Sequence, residues 1–120
     1  MSKTTLVLGA SANPSRYSNI AINRLRRNDH PVIAIGKRNG TVGDTNVETS
    51  TRKIDNLDTI TLYLNPNNQK QYYQYILDLK PKRIIFNPGT ENDELAEMAR
   101  KEGIQPIEAC TLVLLSTGQY

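Results

Sequence analysis

Leu6-Val7-Leu8-Gly9-Ala10-Ser11-Ala12-Asn13-Pro14-Ser15-Arg16-Tyr17-Ser18 sets the architecture of this chain. A short apolar strand runs into a turn of small residues, and a helix begins near Ser15 to Ser18. That arrangement aims backbone N–H groups and the positive end of a helix dipole at one point, and such a point suits a phosphate. About twenty residues on, a dinucleotide-binding unit of the NAD type would carry an acid for the ribose hydroxyls. Here the second strand, Val32-Ile33-Ala34-Ile35, runs instead into Gly36-Lys37-Arg38. Two basic residues at that position favour a nucleotide with an extra phosphate on its ribose, although basic residues are also commonplace in a polar turn before Asn39-Gly40.

The rest of the chain repeats the alternation. The first strand spans Thr4 to Leu8, and a helix from about Ser18 to Asn28 stops before Pro31. Between Gly36 and Asp58 the pattern predicts turns at Asn39-Gly40 and Gly43-Asp44, a short strand at Val47 and one or two helical turns over Thr51 to Leu57. A third clear strand covers Thr59 to Leu64, followed by a helix from about Asn67 to Leu79 that ends at Lys80-Pro81. The strand Arg83 to Phe86 precedes a helix capped by Asn92, running through Glu102 and stopped at Gly103. A last strand, Gln105 to Glu108, leads to an apolar tail, Leu112 to Leu115, which would complete the sheet or cover a dimer seam.

Strict strand–helix alternation without a linker predicts one α/β domain over residues 1–120, a three-layer Rossmann-like fold around a doubly wound parallel sheet of about five strands. Right-handed crossovers then gather the turns Gly9 to Tyr17, Gly36 to Gly40, Asn65-Pro66 and Asn87 to Thr90 along one edge. Ligands of such sheets bind at that edge, where strand order reverses.

Gly9, Ser11 and Pro14 stand where a G-x-G-x-x-G loop has its three glycines. Gly9 still permits the tight turn and Ser11 adds a hydroxyl, whereas Pro14 prevents the close helix packing of a third glycine. Arg16 and Ser18 add donors at the helix start, and a purely structural turn with Arg16 in solvent accounts for the same residues. Asn65-Pro66 and Pro88-Gly89 read as cleft walls or as ordinary helix starts.

Other chemistries find little support. Fifteen basic against twelve acidic residues give a formal +3, but the charge is scattered and reads as a basic surface rather than a nucleic-acid groove. Four of the six tyrosines crowd between residues 63 and 75, which is no stacking platform for bases. The sole histidine, His30, falls in the turn before the second strand, on the edge away from the predicted cleft, which argues against a Ser-His-Asp triad and a His-based metal site. A single cysteine, Cys110, leaves no internal disulfide and fits a reducing cytoplasm. No G-x-x-x-x-G-K-[ST] motif and no apolar run of the roughly eighteen residues of a membrane span are present. Glu91, Asp93 and Glu94 sit where carboxylates complement a helix dipole. The expectation is a cytoplasmic protein without catalytic machinery or a metal.

Gly9-Ala10-Ser11 with Pro14, Arg16, Tyr17 and Ser18, then Asn87-Pro88-Gly89-Thr90-Glu91-Asn92, then Gly103-Ile104 and Cys110, resemble the small stand-alone CoA-binding-domain proteins. These are similar to the nucleotide-binding domain of the succinyl-CoA synthetase alpha subunit, and the likeness runs from Thr4 to about Leu115. The resemblance implies a Rossmann-like sheet that binds coenzyme A or an acyl-CoA at the carboxyl edge of its strands. By it, the segment containing Gly9, Ala10, Ser11, Asn13, Pro14, Arg16 and Tyr17 would hold the phosphates, with Ser18 beside them. Lys37, with Arg38 next to it, would approach the ribose phosphate, and Asn65, Pro66, Pro88 and Gly89 would flank the pantetheine side. The second strand ends in Gly36-Lys37-Arg38, nearer the synthetase type than the Pro-Val-Asn-Pro-like end of the small members. The family reading expects a small-molecule nucleotide ligand and a sensing or carrier role, leaving room for a protein partner or homodimer. Two other readings share the fold: an NADP(H)-binding sensor or reductase, and a protein-interaction module that has lost its ligand.

Overall fold

The computed structural model describes residues 2–120. Along the chain come β1 (Thr5–Leu8), α1 (Tyr17–Arg27), β2 (Val32–Ile35), β3 (Gly40–Val42), β4 (Thr45–Glu48) and β5 (Thr59–Leu62). There follow α2 (Pro66–Gln69), a 3-10 turn (Lys70–Tyr72), α3 (Tyr73–Leu79), β6 (Arg83–Phe86), α4 (Asp93–Lys101), β7 (Gln105–Glu108) and α5 (Thr111–Ser116). The strands form one sheet in the order β3-β4-β2-β1-β5-β6-β7. Every neighbouring pair is parallel except the β3–β4 hairpin.

Central strands covered on both faces need apolar side chains on both, which is why Leu6-Val7-Leu8 and Ile84-Ile85-Phe86 are uninterrupted. On one face Leu6, Leu8, Ile60, Leu62 and Phe86 pack with Ile76 of α3 and Leu95 and Ala99 of α4. On the other, Val7 and Ala34 pack with Ile22 and Leu25 of α1, and Leu115 of α5 closes over them. The helices therefore divide into two layers, and β1 holds the centre with β2 and β5 in register on either side.

Four elements differ from the sequence reading. About five strands are predicted, and the sheet has seven. The stretch after β2 pairs as a hairpin through the Gly43-Asp44 turn, burying Val42 and Val47, and β4 then continues the sheet beside β2. No helix forms over residues 51–57. Ile54 and Leu57 are buried without regular backbone, and the chain reverses at Asn56 with φ 57°. The helix predicted from Asn67 to Leu79 is broken by the 3-10 turn. The apolar tail forms α5, not a strand.

Strand β7 lies at a free edge of the sheet. The N–H groups of Gln105 and Ala109 donate to the carbonyls of Lys82 and Phe86 on the β6 side. Alternation therefore turns residue 106 outward, where proline has no N–H to offer another strand.

His30 sits at the amino-terminal ends of the strands and is only 7% exposed. Its Nδ1 accepts the Lys3 N–H at 2.9 Å, and its ring centroid stands 4.8 Å from that of Tyr120. The Tyr120 hydroxyl meets Thr5 Oγ1 at 2.5 Å, and the Arg83 guanidinium lies 4.5 Å from its ring. Burial lowers the His30 pKa below the ordinary histidine value, and the charges of Lys3 and Arg83 lower it further. The unfolded chain then takes up this proton first, so stability is complete above about pH 6.5 and declines as pH falls from there through the folded-state value. Thermal melts from pH 8 to 5 should show the fall below pH 6.5, and His30→Gln should flatten that part of the curve. An unchanged profile in the variant would remove His30 as the source.

Candidate ligand-binding site

Sheet order reverses at β1: the chain leaves it toward β2 and β4, then returns on its other side with β5 and β6. A cleft of about 820 Å³ opens there, at the carboxyl ends of these strands. Its floor is built by close backbone approach. The N–H groups of Gly9 and Ala10 both donate to the Ile35 carbonyl at 2.9 Å, tying the first loop down onto β2. Gly9 has φ +93°, and a Cβ there would come within 2.9 Å of the Tyr63 carbonyl carbon. A Cβ on Gly36 would lie 2.0 Å from the Ala10 oxygen, inside any allowed contact.

These bonds revise one expectation. The amides of Gly9 and Ala10 are occupied within the chain, so the available donors of this segment lie further along. Its middle is ordered by side chains: Asn13 Oδ1 accepts from the Ser15 N–H at 3.0 Å and hydroxyl at 2.8 Å, and Asn19 Nδ2 donates to the Ser11 carbonyl at 3.1 Å. Helix α1 starts from Arg16 in extended conformation, with no side-chain cap and no acid in its first turn. The N–H groups of Tyr17 and Ser18 consequently have no acceptor among the described residues.

Three cations border this helix start. Arg16, Lys37 and Arg38 line the cleft with exposed side chains, and no acidic partner pairs with any of them among the described residues. Tyr17 stands beside them, 73% exposed. This half of the cleft combines free amide donors, a helix dipole and uncompensated positive charge, which together attract an oxyanion.

The opposite half is neutral. Asn65 Oδ1 caps α2 by accepting the Asn68 N–H at 2.9 Å, and Pro66 occupies the first helical position. Across from it, Gly89 has φ +90° with open space where a side chain would stand, and its N–H donates to Glu91 Oε1 at 2.9 Å. The preceding Asn87 is buried. Its Nδ2 donates to Thr61 Oγ1 at 2.7 Å and the Leu62 carbonyl at 2.9 Å, and its Oδ1 accepts the Thr111 N–H at 2.9 Å. That asparagine fastens the loop after β6 to β5 and to the start of α5. Tyr63 follows β5, with its hydroxyl buried and lacking a hydrogen-bond partner among the described residues; burial pushes that phenol up to about 12.

The structure brings Gly9, Ala10, Ser11, Asn13, Arg16, Tyr17, Ser18, Lys37, Arg38, Asn65, Pro88 and Gly89 to this cleft. It leaves Pro14 in an exposed turn and Pro66 at the start of α2, both outside the lining. Sequence reasoning missed Tyr63, Leu64, Asn68, Gln71 and Tyr72, of which Asn68 comes from α2 and Gln71 and Tyr72 from the 3-10 turn. The only local signal was Asn67-Asn68, two weak helix formers at the start of the run. Among the described residues no three His, Cys, Asp or Glu side chains cluster as metal ligands do, and no helix is long and apolar enough to cross a membrane.

A mostly parallel sheet with helices on both faces and a cleft at its switch point defines a Rossmann-like α/β domain. A solved structure described as an uncharacterized protein shares 47% identity with this chain, covers 100% of it and 99% of its own length, and superposes with a TM-score of 0.97. A hypothetical protein from Pyrococcus horikoshii OT3, 21% identical over 97% of this chain and 83% of its own, gives 0.86, and a Thermus thermophilus protein, 18% identical over 99% and 91%, gives 0.84. The last two show likeness of fold alone. No functionally curated protein matches the chain. Residues 3–116 match the family model described as CoA binding domain, and the chain belongs to that family.

Proposed function

We propose that the cleft binds coenzyme A or an acyl-CoA and that the domain performs no chemistry on it, acting as a sensor or carrier of the ligand. One observation carries this reading: Arg16, Lys37 and Arg38, without acidic partners among the described residues, line the same cleft as the free N–H groups of Tyr17 and Ser18. CoA fits that half, since it brings a diphosphate and a separate ribose 3′-phosphate. The helix start with Arg16 would take the diphosphate, and Lys37 with Arg38 the 3′-phosphate. Glycine at positions 9 and 36 lets the loops after β1, β2 and β5 pack closely against one another and so fixes the floor on which the ligand would rest. The neutral half, between Asn65 and Pro88-Gly89, would receive the pantetheine arm, whose two amides suit uncharged polar walls.

Calorimetric titration with CoA, dephospho-CoA and NADP tests this directly. Micromolar or tighter CoA binding, with dephospho-CoA much weaker, is the expected result. Preference for NADP would transfer the site to a 2′-phosphate nucleotide. No heat from any of the three, with folded and ligand-free protein, would leave the fold as a protein-interaction module.

A further inference from the structure

Gln69 lies outside the cleft lining, yet it joins both walls of the neutral half. Its side chain is wholly buried at the end of α2. Nε2 donates to the Leu64 carbonyl at 2.8 Å and to the Thr90 carbonyl at 2.8 Å, while Oε1 accepts from Asn92 Nδ2 at 2.8 Å. Leu64 belongs to the loop after β5 and Thr90 to the loop after β6, and both border the cleft. Two carbonyls at hydrogen-bonding distance require the NH₂ end of the amide to face them, so the orientation of the side chain is determined. Asn92 is held in turn: its Oδ1 accepts the Leu95 N–H at 3.2 Å as the cap of α4, and its Nδ2 donates to the Tyr73 hydroxyl at 2.8 Å.

We propose that Gln69 is a positioning residue that sets the gap between the loops after β5 and β6, and with it the ability of the cleft to accept the pantetheine arm. This rests on the reading of the cleft as a CoA site. Among the described residues no other side chain contributes donors to both loops through a single group, and only a primary amide serves here. A carboxylate would set negative oxygens against two carbonyls, and an aliphatic chain would leave both carbonyls buried without a donor. The side-chain partners of Gln69 lie in the loops after β5 and β6 and before α4, apart from the cations and the free amides of α1, so its loss should act chiefly on the pantetheine side of the ligand.

The test compares CoA with adenosine 3′,5′-bisphosphate, which keeps the 3′-phosphate and the first 5′-phosphate and lacks the second 5′-phosphate and the pantetheine arm. Affinities of both are measured by calorimetry for the wild type, Gln69→Leu and Asn92→Asp, below the melting temperature of each protein. Asn92→Asp keeps the α4 cap and removes the donor to Gln69, so it serves if Gln69→Leu does not fold. The expected result is a rise of about fivefold to tenfold in the CoA Kd for Gln69→Leu, a smaller rise for Asn92→Asp, and bisphosphate affinity within about twofold of wild type. A purely structural glutamine would weaken both ligands alike, and that outcome, or unchanged CoA binding in a folded variant, overturns the inference. Wild-type protein that binds the bisphosphate as well as CoA overturns it too, because the arm would then make no contact. If the wild type binds neither ligand, the CoA reading itself fails and this inference falls with it.

Discussion

Gly36→Ala is expected to lose about 3 kcal/mol of folding stability, the upper end of what an added methyl group costs in a packed site. The reason is that its Cβ would stand 2.0 Å from the Ala10 carbonyl oxygen, which cannot swing aside as a side chain tip would. The Ala10 oxygen belongs to a loop whose neighbouring amides are bound to Ile35, so any retreat breaks those bonds as well. Urea denaturation of three variants separates this effect from ordinary glycine strain. Gly9→Ala combines a positive φ with a contact of 2.9 Å and should also be severe, whereas Gly89→Ala has φ +90° but open space and should lose only about 1 kcal/mol. Equal losses at Gly36 and Gly89 would show that the two loops do not press together as described.

The second large effect concerns charge. Replacing both Lys37 and Arg38 by alanine should weaken CoA binding about a hundredfold, since each charge-assisted contact to a phosphate contributes about 1.5 kcal/mol or more. Dephospho-CoA should bind the double variant nearly as well as it binds the wild type, because the 3′-phosphate is the group that these residues would meet. Both side chains are exposed and unpaired, so the melting temperature should barely change. An equal loss for the two ligands would place Lys37 and Arg38 at the diphosphate instead. Binding unaffected by the double change would remove them from the site.

The layers of the fold were legible because their signals are local. Leu6-Val7-Leu8 and Ile84-Ile85-Phe86 are too apolar for anything but central strands, and Asn92 caps α4 as its position predicts. The β3–β4 hairpin was legible only in part: the Gly43-Asp44 turn and a strand at Val47 were readable, but β3 was not, since Gly40 and Asn46 favour turns and the pairing is secured by Val42 and Val47 reaching the core. Similarly, only Asn67-Asn68 weakens the run from Asn67 to Leu79 locally; the break accompanies Gln69 turning inward to the Leu64 carbonyl five residues back and the Thr90 carbonyl 21 residues on. At the cleft, turn positions were readable from topology, so the cations were located by sequence alone. Which amides remain free was not readable. That depends on the Ile35 carbonyl capturing Gly9 and Ala10, a contact between segments far apart in the chain.

Pro106 has a consequence for assembly of the chain itself. Side-to-side alternation means that sliding β7 by one residue along β6 would turn Pro106 toward the sheet, where its ring nitrogen has no hydrogen to give. A misaligned arrival of the last strand is thus penalised at once, while the correct alignment loses nothing, and this single residue acts as a proofreader of how the sheet is finished.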